Sequence, residues 1–231
     1  MSDCPHPRIA LFDMDHTLLP IDSDFTWTSF TNAKGLTRPE EVEQQNARFY
    51  ADYREGRLDM RAYVHFVTRP LHGLSAQQLQ AVQEQYVQEY IQPHILPPAL
   101  ELLQRHRQAG DITVLTTATN SFIAAGVGRR LGFADAYILA TELQYTAEGA
   151  ITGDIVGHSN LQAGKVRNFE QWLAAHGWRW DDVHITFYSD SVNDLPLLEK
   201  AHEPVATNPD VRLRQMAQER NWRILDLFPT H

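Results

Sequence analysis

Arg8-Ile9-Ala10-Leu11-Phe12-Asp13-Met14-Asp15-His16-Thr17-Leu18 is the stretch on which the fold turns. From Ile9 to Phe12 the run is apolar, and it then meets two carboxylates, Asp13 and Asp15. A short apolar run of this kind suits a strand at the centre of a parallel sheet, covered on both faces. Ligands of open α/β sheets bind outside the carboxyl ends of the strands. Both acids face that crevice if the chain leaves the sheet between them. The same two residues also suit an Asx-type turn that merely closes the strand.

Working outward, residues 23–92 read as helical. Ser75 and Gln78 form a Ser-x-x-Gln capping box. Leu79, Val82, Tyr86, Val87, Tyr90 and Ile91 then share one helical stripe, which predicts core against solvent. Pro93, Pro97 and Pro98 break the helix. Beyond them helix and strand alternate. A helix through Leu100–Leu103 ends near Gly110, and a strand runs from Ile112 to Thr116. A second helix ends near Gly132, a strand begins near Ala136, and Thr146–Gly149 reads as a hairpin turn. A helix over Val166–Ala175 ends at Gly177. Strands follow at Val183–Tyr188, Pro204–Ala206 and Ile224–Leu225. Such alternation predicts an α/β fold with a mostly parallel sheet. The expected division is a core of residues 1–19 and 96–231, with a helical insertion over 20–95.

The 231 residues carry 20 Lys and Arg against 29 Asp and Glu, a net charge of −9, with no basic run. Phosphate-backbone binding needs clustered cations, so nucleic acid is not an expected partner. Nor is an anionic membrane surface. One cysteine, Cys4, excludes an intramolecular disulfide. No run approaches the ~20 apolar residues of a membrane-spanning helix, and the first residues lack a signal-peptide core. A cytoplasmic protein is expected, and the sequence leaves its oligomeric state open. Any anionic substrate must be held by local cations against the overall field.

Three more polar segments fall after strands or at helix starts. In Thr116-Thr117-Ala118-Thr119-Asn120, hydroxyls and N–H groups at a strand-to-helix turn suit a phosphate oxygen. Thr119 or Asn120 would equally serve as an N-cap. Lys165 stands at a helix start, where the dipole prefers negative charge, so a nearby anion is implied. A solvated surface lysine is the plainer alternative. In Ser189-Asp190-Ser191-Val192-Asn193-Asp194, oxygen ligands on a strand-end loop suit Mg²⁺.

Together the four segments resemble the haloacid dehalogenase superfamily of aspartate-nucleophile phosphohydrolases. Asp13-x-Asp15-x-Thr17-Leu18 is similar to its first motif, Thr117 (or Thr116) to the second, Lys165 to the third, and Asp190-x-x-Asn193-Asp194 to the fourth. The resemblance implies a Rossmannoid parallel sheet with a helical C1 cap after the first strand. The resemblance extends to phosphoserine phosphatases and to bacterial hydrolases of subfamily IB, some of them labelled histidinol-phosphatases. It further implies Asp13 as nucleophile, Asp15 as acid and base, and Thr117 and Lys165 on the phosphoryl oxygens. Asp13, Asp15 (through its carbonyl), Asp190 and Asp194 would hold Mg²⁺. Asp22, Asn120 and Asn193 are the expected substrate contacts. Phosphoserine phosphatases carry a cap glutamate where this chain has Asp22, with Asp24 nearby on an expected entry strand. Their cap arginine is matched only by the candidates Arg61 and Arg69. Trp27 and Phe30 read as cap core. The expected partner is a small phosphate monoester, and the acids Asp22 and Asp24 would favour one that bears an amine. The same residues would also serve a phosphotransferase or a non-catalytic phosphate and Mg²⁺ module.

Overall fold

The computed structural model describes residues 6–228, so Cys4 and the start of the chain lie outside it. Strand β1 (Arg8–Phe12) pairs in parallel with β2 (Ile112–Asn120) on one side and with β6 (His184–Ser189) on the other. With β3 (Ile138–Thr141), β7 (Glu203–Thr207) and β8 (Arg223–Leu225) the sheet runs β3-β2-β1-β6-β7-β8, parallel throughout. The chain moves outward from β1 in both directions. A topological switch point therefore lies between β1 and β6, where Asp13 leaves the sheet. Asp13 N–H donates to Tyr188 O at 2.9 Å, extending the β1–β6 ladder by one residue.

Side chains of β1 alternate between two cores. Ala10 and Phe12 join the core under α5 (Pro97–Gln108) and α6 (Ser121–Arg130). Ile9 and Leu11 join the core under α7 (Ala163–Ala175), α8 (Leu195–Leu198) and α9 (Val211–Glu219). Both faces are thus covered, as the unbroken apolar run requires.

Between β1 and β2 lie α1 (Ser23–Ala33), α2 (Pro39–Arg54), α3 (Met60–Thr68) and α4 (Ala76–Tyr86). The Ser75 capping box opens α4, and its stripe continues through one π turn at Val87–Ile91 before Pro93 ends it. Trp27 and Phe30 are buried, and Trp27 Nε1 donates to Val67 O at 2.9 Å, so both belong to the core. A hairpin of β4 (Leu143–Tyr145) and β5 (Ile151–Ile155) turns at Gly149 and leans on α3. Gly153, at φ 87°, leaves room for the rings of His65 and His72, which a Cβ there would meet at 2.7 Å.

Three expected boundaries shift. Residues 135–137 form a 3₁₀ turn, so β3 starts at Ile138. Helix α7 begins at Ala163, placing Lys165 inside its first turn. The expected entry strand is absent. Asp22 is the N-cap of α1, its carboxylate accepting from Phe25 N–H at 2.9 Å, and Asp24 stands in that helix's first turn. No helix among the described residues is long and apolar enough to cross a membrane.

Candidate active site

Three buried groups meet at the carboxyl end of β1. Lys165 Nζ donates to Asp13 Oδ1 at 2.6 Å and to Asp194 Oδ2 at 2.7 Å. All three residues are nearly inaccessible to water. Burial works against the ammonium charge, but Asp13 and Asp194 outweigh it and hold Lys165 above the usual lysine value. It is therefore a fixed cation. Asp194 Oδ2 also accepts from Ser189 Oγ at 2.7 Å, so this acid anchors Lys165.

Thr17 ties the first motif to the fourth. Its hydroxyl lies 3.2 Å from Asp13 Oδ2 and 3.4 Å from Asp190 Oδ1. The loop that carries it is pinned by Asn208 Nδ2, which donates to His16 O at 2.8 Å and Thr17 O at 3.3 Å. Burial first, and then the charges of Asp13 and Asp194, push the Asp190 carboxyl well above its usual range. Three carboxylates thus gather around a single lysine, which bonds two of them, Asp13 and Asp194.

That surplus of oxygen anions fits a hard divalent cation. Mg²⁺ takes one or two carboxylates and completes its six ligands with water and substrate oxygens. Among the described residues no three His, Cys, Asp or Glu side chains form a self-contained metal cage. Asp13 and Asp190 are the pair that suits Mg²⁺. Asp194 Oδ2 is taken by both Lys165 and Ser189, and the Asp15 carboxylate turns elsewhere.

Asp15 points toward α1. Its Oδ1 accepts from Ser23 N–H at 2.8 Å, and its Oδ2 accepts from Ser23 Oγ at 3.1 Å and Thr119 Oγ1 at 2.9 Å. Burial, followed by the charges of Asp22, Asp24 and Asp13, raises its carboxyl well above the usual range. Hydroxyls donate or accept equally. Ser23 and Thr119 can therefore follow the protonation state of Asp15 without moving it.

At the end of β2 the two candidate threonines part. Thr116 Oγ1 accepts from Asn160 Nδ2 at 2.9 Å. Thr117 Oγ1 accepts only from Thr119 N–H, at 3.2 Å, which leaves its own proton to donate. Asn120 caps α6, its side chain accepting from Ile123 N–H at 3.2 Å. Asn120 is thus the N-cap that the sequence also allowed. Asn193 Oδ1 lies 3.5 Å from Gln162 Nε2, which also reaches Gly56 O at 3.4 Å. That amide links the α2–α3 loop to the loops of the sheet. Arg61 is paired with Asp154, and Arg69 reaches Glu41 at 3.5 Å, so neither stands as a free cation for substrate.

Several contributors escaped the sequence reading. Asn160 is fully buried and donates to Thr116 Oγ1, Thr117 O and Leu139 O at 2.9–3.0 Å, locking the Lys165 loop onto β2 and β3. Ser23 and Thr119 hold the Asp15 carboxylate, and Ser189 holds that of Asp194. Tyr53 of α2 stands over Asp190; burial, then that charge, pushes its phenol up, so it remains a neutral hydroxyl. Asx and hydroxyl residues at strand ends were the available signal, but their partners lie up to 104 positions away.

This constellation of lysine-bridged aspartates at a β1–β6 switch point agrees with what sequence comparison finds. The profile of the haloacid dehalogenase-like hydrolases matches residues 10–199. The chain belongs to that family. Its enzyme class is phosphatase. A histidinol-phosphatase of Neisseria meningitidis is 41% identical over 220 residues, spanning 95% of this chain and 98% of that protein. A solved protein of unknown function from Bordetella pertussis superposes with a TM-score of 0.89 at 39% identity, covering 97% of this chain and 100% of that one. A phosphoserine phosphatase solved as a phospho-aspartyl intermediate analogue shares the fold, with a TM-score of 0.64 at 18% identity over 97% and 95% of the two chains.

Proposed function

We propose that the chain is a Mg²⁺-dependent phosphomonoester hydrolase working through an aspartyl-phosphate on Asp13, with a substrate of the histidinol-phosphate kind. The observation that carries this reading is the division of labour among carboxylates. Asp13 faces a fixed lysine, while Asp15, on the same loop, faces only hydroxyls, one backbone N–H and other acids. Two acids in contrasting environments are what a nucleophile and a proton carrier require.

Asp13 attacks phosphorus, and the phosphorus bond to the ester oxygen breaks. Asp15 gives its proton to the departing alkoxide. Water then attacks the aspartyl-phosphate, Asp15 takes a proton from it, and Asp13 is released as phosphate leaves. Lys165 and the Thr117 hydroxyl meet the charge on the phosphoryl oxygens. Mg²⁺, held by Asp13 and Asp190, with the Asp15 carbonyl as a further candidate ligand, would supply Lewis-acid neutralisation of those oxygens. The helices between β1 and β2 act as a cap that excludes water from the first step. The 41% identity to a histidinol-phosphatase supports the substrate assignment.

The test is phosphate release from histidinol phosphate, phosphoserine and phosphoethanolamine, with and without Mg²⁺. Mg²⁺-dependent turnover that is best on histidinol phosphate and lost in Asp13→Asn is expected. No release from any ester, or equal rates in Asp13→Asn, would overturn the reading.

A further inference from the structure

Asn208 follows β7, outside the four motifs, yet the turn behind the nucleophile hangs on it. Its backbone sits at φ 46°, in the left-handed region that favours glycine. Asparagine is one of the few other residues that visit it. Pro209 comes next and narrows the choice of backbone further. Such a conformation persists only where the surroundings enforce it.

A full set of bonds enforces it here. The Asn208 N–H donates to Leu225 O at 2.8 Å. Its Oδ1 accepts from Leu227 N–H at 2.6 Å and from Phe228 N–H at 3.0 Å. Its Nδ2 donates to His16 O at 2.8 Å and to Thr17 O at 3.3 Å. Two N–H groups on one side and two carbonyls on the other fix the amide's orientation, since only Oδ1 accepts and only Nδ2 donates. The receiving turn needs this help. His16 also stands in the left-handed region, at φ 55°, so the chain does not adopt that turn unaided. From the turn, Thr17 Oγ1 reaches Asp13 Oδ2 at 3.2 Å and Asp190 Oδ1 at 3.4 Å. Two residues beyond Asn208, Asp210 N–H donates to Asp190 O at 3.0 Å. One short segment thus holds the turn behind Asp13 and the backbone of Asp190.

Resting on the phosphatase reading above, we propose that Asn208 is a positioning residue for the reaction. Clamped by the chain at Leu227 and Phe228, its amide holds the His16–Thr17 turn. The Thr17 hydroxyl then keeps Asp13 aimed at phosphorus with Asp190 beside it. The aim of the nucleophile is set in this way from the β8 edge of the sheet.

Two variants divide the clamp. Asn208→Asp keeps the acceptor that Leu227 and Phe228 use, but turns an oxygen toward the His16 and Thr17 carbonyls. Asn208→Gly removes both halves and tolerates the left-handed backbone, so it serves if the first fails to fold. The readouts are steady-state kinetics on histidinol phosphate, well below the Tm of either variant, and hydrogen exchange of residues 14–19 in metal-free protein. The amides of Leu18 and Leu19 donate to Met14 O and report on the turn. In both variants kcat is expected to fall at least about tenfold, with KM kept within about twofold. Lys165 and Thr117 still bind the phosphoryl group, while the nucleophile is misaimed. Exchange of the turn should quicken, and that of β1 should not. A purely structural asparagine would lower Tm and leave kcat and the turn's exchange at wild-type values, and that result would overturn the proposal. A loss of kcat in Asn208→Gly alone would trace to the bonds with Leu227 and Phe228, and would also overturn it. Should the wild type release no phosphate from any ester, the phosphatase reading fails on its own. Exchange then decides for Asn208. A faster turn in both variants is expected, while unchanged exchange would overturn its part in placing the turn.

Discussion

Gly164→Ala probes the site without removing any reacting group. Gly164 sits in the first turn of α7, directly before Lys165, with an ordinary helical backbone. Alanine there would ordinarily stabilise a helix by about 1 kcal/mol. Here the added Cβ would stand 1.9 Å from Ser159 O, where ordinary contact begins at 3.4 Å. The obstacle is backbone, so the helix start must retreat by more than an ångström. Lys165 Nζ is held at 2.6 and 2.7 Å from its two carboxylates, and that much movement breaks at least one bond. Misplacing a positioned group by 1 Å costs about 100-fold in rate. Forcing a methyl into filled space costs about 1–3 kcal/mol. Steady-state kinetics on a phosphate monoester and thermal unfolding are the assays. We expect kcat lower by about two orders of magnitude and a lower Tm. A variant with wild-type kcat and raised Tm would refute the account of how Lys165 is placed.

Lys165→Met should abolish turnover and lower stability by about 3–5 kcal/mol, because two buried carboxylates lose their cation; denaturant titration checks it. The Asp24 carboxyl sits at about 7 in the folded chain against an ordinary 3.8. The folded state therefore binds the extra proton, and its advantage fades as pH rises through that interval. Asp24→Asn removes the term, so its Tm should fall less than that of the wild type between about pH 5 and pH 8. Mg²⁺ should raise the Tm of the wild type and leave that of Asp190→Asn nearly unmoved, since the ion stabilises the fold only where its ligands remain. Asn160→Ala leaves Thr117 O and Leu139 O without their buried donor. It should cost about 1–3 kcal/mol per group, visible as a lower denaturant midpoint.

Short-range pattern carried most of what could be read beforehand. The apolar run of β1 and its acids, the Ser75 capping box and the alternation after Pro98 are local signals, and each appears in the structure, with the starts of β3 and α7 displaced. Asp22 and Asp24, expected on an entry strand, belong to the start of α1. An aspartate N-cap followed by a first-turn acid was the helix signal present there. Ser23, Thr119 and Asn160 were illegible for a different reason. Serine, threonine and asparagine are common at turns, and only the tertiary fold decides which of them faces a buried partner 96, 104 or 44 positions away. The different partners of Thr116 and Thr117, Asn160 Nδ2 for the first and Thr119 N–H for the second, were equally hidden from local pattern.

The central claim is that Asp13 carries the phosphoryl group. Rapid acid quench of the enzyme turning over histidinol phosphate, followed by peptide mass analysis, tests it most directly. The account predicts one phosphoryl group on the peptide containing Asp13, absent in Asp13→Asn. Steady phosphate release with no phosphoryl group on that peptide, or with the label on another residue, would contradict it.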